Sequence, residues 1–263
     1  MISIRRGLFA KYPTLKKIYP VGHILGWLLE KVVHQDSCNH IIESNREKPP
    51  FEFNRAVLES FKAKFDVEHL ERIPKTGRVM IIANHPLGAL EALALMEMVG
   101  QVRQDVKIVA NDLLMYVEPL NPLFLPVDVM NAKTARESIA NIIKALKNEE
   151  VVIIFPAGEV SRKTEQGIRD GIWNRGFLRF ARKAKAPILP VKVEATNSWY
   201  FYFISKISKP LSSLLLPDQM FRREGKPMVL HIGEMIPYEE YSASELGEEA
   251  QVEAFKERLY QMA

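Results

Sequence analysis

From Arg78 onward the chain switches repeatedly between short apolar runs rich in β-branched residues and longer stretches of helical period, a rhythm that few folds accommodate. The runs are VMIIA (79–83), VKIVA (106–110), VVIIF (151–155), PILPVKVEA (187–195) and MVLHIG (228–233). Between them lie predicted helices from the end of the first run to about Val99, from about Ala132 to Lys147, and from about Gly171 to Lys185. A run that is apolar at successive positions must be buried on both faces, which places it in a parallel sheet covered by helices on both sides. The pattern therefore predicts an α/β fold: a mainly parallel central sheet flanked by helices, with an N-terminal amphipathic helical region. Of the 263 residues, 47% are hydrophobic and 26% charged. That balance fills a large core and excludes a disordered chain or a bundle of membrane spans.

Pro49-Pro50 is the clearest seam. Residues 1–50 read as an N-terminal helical membrane-interface region and residues 51–263 as the α/β domain. In the first region Arg5, Arg6, Lys11, Lys16, Lys17 and Lys31 stand against Glu30 and are interleaved with Phe9, Tyr12, Tyr19, Trp27 and several leucines. That composition suits an anchor lying in an anionic membrane surface; a helix packed on the core with its basic face in water is the alternative. Pro13, Lys16, Lys17 and Pro20 interrupt every apolar run well short of the roughly 20 residues a span requires. The same lysines occupy the place of a secretory apolar core, so the chain is expected to stay inside the cell, peripheral to the cytoplasmic face of the membrane. Cys38 is the single cysteine; it excludes an internal disulfide and suits a reducing compartment. Thirty-six Lys and Arg against 32 Asp and Glu leave a net charge of +4. This is too mild for a nucleic-acid binder and compatible with anionic lipid or an acidic carrier protein.

In an open α/β sheet, ligands bind beyond the carboxyl ends of the strands. The loops after the first and third runs read NHPLGALE (84–91) and PAGEVSR (156–162). Pro86 restricts His85 to extended backbone and suits the start of a following helix. His85 and Glu91 are six residues apart, about 240° around a continuous helix, so they meet only if Pro86-Leu87-Gly88 forms a turn. A carboxylate on one imidazole nitrogen would then fix the tautomer and stabilise the imidazolium formed when the other nitrogen takes a proton. The alternative is a structural histidine beside a glutamate that merely favours a helix N-terminus. In the second loop Pro156 and Gly158 shape a turn whose backbone N–H groups, with Arg162, would face an anionic or polarised group.

NHPLGALEALAL (84–95), FPAGEVSR (155–162) and PILPVKVEATNSWYFY (187–202), in this order, resemble the lysophospholipid acyltransferase superfamily. Within it they are most similar to the hemolysin-labelled branch, which includes acyltransferases that complete ornithine and related amino-acid lipids. The resemblance runs from about Arg78 to Gly233. It implies transfer of a fatty acyl group from a thioester of acyl carrier protein or CoA to the hydroxyl of a lysolipid, in membrane lipid biosynthesis. His85 is the implied base and Glu91 its carboxylate, with no covalent intermediate, no bound cofactor and no metal. The superfamily's first motif usually has Asp five residues after His; here that position is Leu90 and the acid follows it. A second motif often ends in Arg, where this chain has Asp128. In the third, the usual Glu and Arg positions hold Ala157 and Val160. Gly158, Glu159, Ser161, Arg162 and Asp128 are the candidate substrate-binding residues, and Pro190 matches the fourth motif. The altered third motif keeps open a second reading, a non-catalytic lipid- or carrier-binding protein on the same scaffold; retention of both His85 and Glu91 argues against it.

Three further features have weaker functional readings. His34, Asp36, Cys38 and His40 fit no standard zinc spacing. Arg175, Arg179, Arg182 and Lys183 form a basic helix face, by default solvated, alternatively a dock for acyl carrier protein or lipid headgroups. The stretch from Trp199 to Leu216 is unusually apolar, with Lys206 and Lys209 between, and reads as a membrane-interface patch with part of it in the core. There is no P-loop, no G-x-G-x-x-G and no G-x-S-x-G.

Overall fold

The computed structural model describes residues 3–5, 9, 14, 18–127 and 132–262. Among the described residues, α1 (Val21–Val32), α2 (Gln35–Ser44) and α3 (Pro50–Ser60) precede the first strand. Then follow β1 (Lys64–Glu68), β2 (Val79–Ala83), α4 (Leu90–Gly100), β3 (Val106–Asn111), β4 (Phe124–Val127), α5 (Ala132–Lys147) and β5 (Val151–Ile154). A short hairpin of β6 (Arg162–Thr164) and β7 (Gly167–Arg169) leads to α6 (Gly176–Ala184) and β8 (Ile188–Glu194). Three short helices, α7 (Trp199–Ile207), α8 (Lys209–Leu214) and α9 (Leu216–Arg222), precede β9 (Pro227–Ile232), α10 (Tyr238–Ser242) and α11 (Glu248–Gln261).

Seven strands form one sheet in the order β1-β9-β8-β2-β5-β3-β4. The five strands from β8 to β4 are parallel, while β9 runs antiparallel to β8 and pairs in parallel with β1. The mainly parallel sheet is thus present, with an opposed pair at one edge. β2 lies at its centre and all five of its residues are fully buried. Val79 and Ile81 face a core completed by α3 and α4, including Phe53, Val57 and Leu95. Met80 and Ile82 face the other core, filled by Ile142 and Leu146 of α5, Phe177 and Ala181 of α6, and Phe255 and Leu259 of α11. Burying such a side chain on each successive residue, at about 1.5–3 kcal/mol each, holds this strand in register and fixes the loop beyond its carboxyl end.

The predicted helix at 171–185 begins only at Gly176. Gly171 to Asn174 are not helical; Trp173 is buried and its indole N–H donates to Asp170 at 2.9 Å. The basic face at α6 stays largely exposed and is partly paired with the start of α11: Arg179 donates to both carboxylate oxygens of Glu248 at 2.9 and 2.7 Å, Arg175 pairs with Glu249 at 3.3 Å, and Arg182 donates to Gln251. His34 bonds Asp218 at 3.0 Å and the Cys38 thiol reaches the Val33 carbonyl at 3.7 Å, so these two side chains are engaged elsewhere rather than gathered. Among the described residues no helix is long and apolar enough to cross a membrane. Asn131, which precedes α5 in sequence, and Arg6, Lys11, Lys16, Lys17 and Tyr12 of the N-terminal region lie outside the described residues.

Candidate active site

The loops after β2 and β5 lie side by side because those strands are neighbours in parallel, Val79 opposite Val151 and Ile82 opposite Ile154. The peptide N–H of Ser161 donates to the carbonyl of His85 at 2.8 Å, joining them directly. The turn at Pro86-Leu87-Gly88 forms as expected. Gly88 has φ +111°, a conformation favoured only for glycine, and a Cβ there would lie 3.2 Å from Leu216 of α9. Past the turn, Glu91 sits in the first turn of α4 and is wholly buried. One carboxylate oxygen, Oε1, accepts from the N–H groups of Leu87 at 2.7 Å and Gly88 at 2.8 Å. The same oxygen lies 3.0 Å from His85 Nδ1, although off the line of a straight N–H···O bond. Burial pushes the Glu91 carboxyl up, but the neighbouring His85 and the two peptide N–H groups outweigh burial. The group is held below the ordinary carboxylate range. The His85 ring is mostly buried and stacks on Phe155 at 4.0 Å and 22°.

Several side chains that the sequence reading did not single out hold this arrangement. Asn84 donates from Nδ2 to the Val193 carbonyl at 2.9 Å and accepts from the Val193 N–H at 2.7 Å, tying the end of β2 to β8. Asn197 donates to the Pro86 carbonyl at 3.0 Å, bracing the turn from the segment after β8. Asp170, just past β7, accepts from the His85 N–H at 3.2 Å, from Ser161 Oγ at 2.5 Å and from Trp173. Its own N–H donates to Tyr260 Oη of α11 at 2.7 Å. Asn84 opens the first motif and Asn197 lies within the last one, each just past a strand end, which is the signal that could have marked them. Asp170 has no such local sign.

The second loop departs from expectation. Gly158 takes φ +64° and its N–H donates back to Phe155, while the Ser161 N–H is held by His85, so these two donors are occupied within the protein. Ser161 is fully buried and its hydroxyl serves Asp170. Glu159 turns outward to Lys209 of α8 at 2.8 Å. Arg162 differs from all of them. Its guanidinium carbon lies 5.2 Å from the centroid of the Phe201 ring, and among the described residues its buried Nε and Nη1 have no hydrogen-bond partner. Burial pushes this guanidinium below its ordinary pKa, with Glu159 acting in the opposite sense. A half-buried guanidinium with two donors unused among the described residues, next in sequence to the Ser161 that bonds His85, has the chemistry to receive an anion. Asp128 lies outside the described residues. Beside Asn84 a cavity of about 610 Å³ opens between Val193, Thr196, Arg223, Lys226 and Tyr260. Arg223 is buried there, giving its Nη groups to the carbonyls of Thr196 and Pro227.

A family profile described as acyltransferase matches residues 6–263. The chain is 31% identical over 251 residues to a lyso-glycine lipid O-acyltransferase of Bacteroides thetaiotaomicron, covering 93% of this chain and 91% of that one. A lyso-glycine lipid O-acyltransferase of Phocaeicola vulgatus is 30% identical over 220 residues, 81% of this chain and 78% of the other. In fold, the chain is similar to the crystal structure of the 1-acyl-sn-glycerophosphate acyltransferase PlsC from Thermotoga maritima. That match has a TM-score of 0.51 and 18% identity, and it covers 90% of this chain and 95% of the other.

Proposed function

Because the chain belongs to the acyltransferase family whose profile spans it, we propose that it is a lysolipid O-acyltransferase in which His85 is the general base and Glu91 its orienting carboxylate. The observation that carries this reading is the buried Glu91 oxygen 3.0 Å from His85 Nδ1. It holds Nδ1 protonated and leaves Nε2 as the basic nitrogen. Nε2 takes the proton of the acceptor hydroxyl as its oxygen attacks the thioester carbonyl carbon. The tetrahedral intermediate then expels the thiolate, which recovers the proton from the imidazolium, giving an ester and a free thiol with His85 restored. No covalent enzyme intermediate is needed. The donor is a thioester of acyl carrier protein or CoA, and the setting is membrane lipid biosynthesis on the cytoplasmic face of an anionic membrane, with residues 1–50 as the interfacial region and 51–263 as the catalytic domain.

The acceptor we infer is a lysolipid bearing an amino-acid carboxylate. Two relatives carry the name lyso-glycine lipid O-acyltransferase, and Arg162 offers two unpaired guanidinium donors one residue beyond Ser161, which bonds His85. A planar guanidinium matches a carboxylate. In sequence, Asp128 stands where the family resemblance puts a phosphate-binding Arg, and from that exchange we infer that a phosphate monoester, with its nearly two negative charges, is the poorer acceptor. Gly158, Glu159 and Ser161 act by shaping the turn that presents Arg162. The deciding measurement is kcat/KM for lyso-glycine lipid and lysophosphatidic acid with one thioester donor, following free thiol release. Preference for lysophosphatidic acid would overturn the acceptor assignment; no thiol release with any lysolipid would overturn acyl transfer itself.

A further inference from the structure

The helices α7 and α8 carry Trp199, Phe203, Ile207, Leu211 and Leu214 at spacings of four, four, four and three residues. These residues are exposed by 41% to 78%. Of the residues between them, Phe201, Tyr202 and Ser212 are buried on the other side. The stripe is therefore not a core face left partly uncovered but a second apolar face on a segment that already buries its first.

This segment is fastened to both loops of the candidate active site. Phe201 underlies Arg162 at 5.2 Å, and Lys209 holds Glu159 at 2.8 Å. Leu216 closes over Gly88, and Asn197, just before α7, bonds the Pro86 carbonyl. It is also tied to the N-terminal helices: His34, two residues past α1, bonds Asp218 of α9 at 3.0 Å and stacks on Phe221 at 4.5 Å. α1 exposes Ile24, Leu25, Trp27 and Leu28.

Charge selects among the surfaces that could cover the stripe. In residues 199–222, Lys209 and Arg222 are paired with Glu159 and Asp218, which leaves Lys206 between Phe203 and Ile207. Residues 1–33 carry six Lys and Arg against Glu30 in sequence, with Arg6, Lys11, Lys16 and Lys17 outside the described residues. Both segments carry a net positive charge, so a second copy would meet like charge, whereas an anionic bilayer attracts them and dissolves the aromatic and aliphatic side chains beside Lys206. We propose that the α7–α8 stripe is a bilayer-contacting face in its own right, which seats the His85 and Arg162 loops at the lipid surface where the acceptor lies. Its role in catalysis rests on the acyl-transfer reading; the membrane contact does not.

The test uses the full chain with Trp199→Ser, Phe203→Ser and Ile207→Ser combined, and Ile207→Ser alone as a milder variant. All three positions are exposed, so thermal unfolding should match the wild type. Co-sedimentation with vesicles of phosphatidylglycerol and phosphatidylcholine should weaken by about tenfold or more in the triple variant, and by less in the single one. KM for a vesicle-embedded lysolipid should rise in parallel, with kcat unchanged on a short-chain acceptor dispersed as monomers. A folded triple variant that sediments like the wild type would overturn the proposal. So would a concentration-dependent dimer of the wild type that the triple variant abolishes while vesicle binding persists. Wild-type protein that sediments and transfers no acyl group would sink the acyl-transfer reading and leave the stripe intact.

Discussion

Replacing Glu91 by Gln keeps the shape of the side chain and removes its charge, and the effect can be worked from its partners. The wild-type Oε1 accepts two peptide N–H bonds, from Leu87 and Gly88, and faces His85 Nδ1. Hydrogen bonds to a charged group are each stronger than neutral ones by about 1 kcal/mol. Loss of the charge from the two peptide bonds therefore costs about 2 kcal/mol, a fall in Tm of about 5 °C for a domain of this size. Catalysis should suffer more, because the imidazolium formed during proton transfer loses its buried counter-charge. Kcat/KM should fall about 10²-fold, against 10²–10⁴-fold for His85→Ala. The pH dependence separates charge from shape. Glu91 is held below its unfolded-state pKa, so its contribution is complete above about pH 5 and is lost as pH falls through the folded-state value. The stability gap between wild type and Glu91→Gln should thus be full at neutral pH and narrow below about pH 4. Thiol-release kinetics and thermal unfolding from pH 3 to 8, the range set by the carboxyl titration, supply both readouts. A Gln variant within threefold of wild-type kcat/KM, or a stability gap that does not change with pH, would refute the reasoning.

Arg162→Met removes a half-buried cation whose Nε and Nη1 have no hydrogen-bond partner among the described residues, so the fold should be about as stable while kcat/KM for a carboxylate-bearing acceptor drops about 10–100-fold. Unchanged kinetics would show that Arg162 does not meet the acceptor. Gly88→Ala must hold φ near +111° and place a methyl 3.2 Å from Leu216 and 3.3 Å from Val160. It should cost about 1–3 kcal/mol and lower kcat by displacing the turn; Tm and turnover equal to wild type would contradict this.

The central sheet was legible because its strands carry the signal at each position: VMIIA and VVII are buried throughout. The edges were not. β1 reads KFDVE, with inward Phe and Val between exposed charges, and exists only through pairing with β9. β4 contains Pro126, and the β6–β7 hairpin, RKT against GIR, has almost no apolar pattern. At the site, the meeting of His85 and Glu91 followed from a local turn six residues long. The occupation of the Gly158 and Ser161 N–H groups did not, because their acceptors are carbonyls that any residue supplies. Asp170 lay beyond reach for a different reason: its partners come from β2, the second loop and α11, and only the assembled sheet brings them together.

That carboxylate also governs how the protein opens. Asp170 binds the amide of His85, the hydroxyl of Ser161 and the indole of Trp173, while its own amide rests on Tyr260 near the C-terminus. Fraying of the last helix therefore loosens the support of both loops together, so that amide exchange at 85 and around 161 should share one opening free energy with the C-terminal turn. The site then forms or melts as a single cooperative unit, with no long-lived state in which the base is positioned and the guanidinium is not.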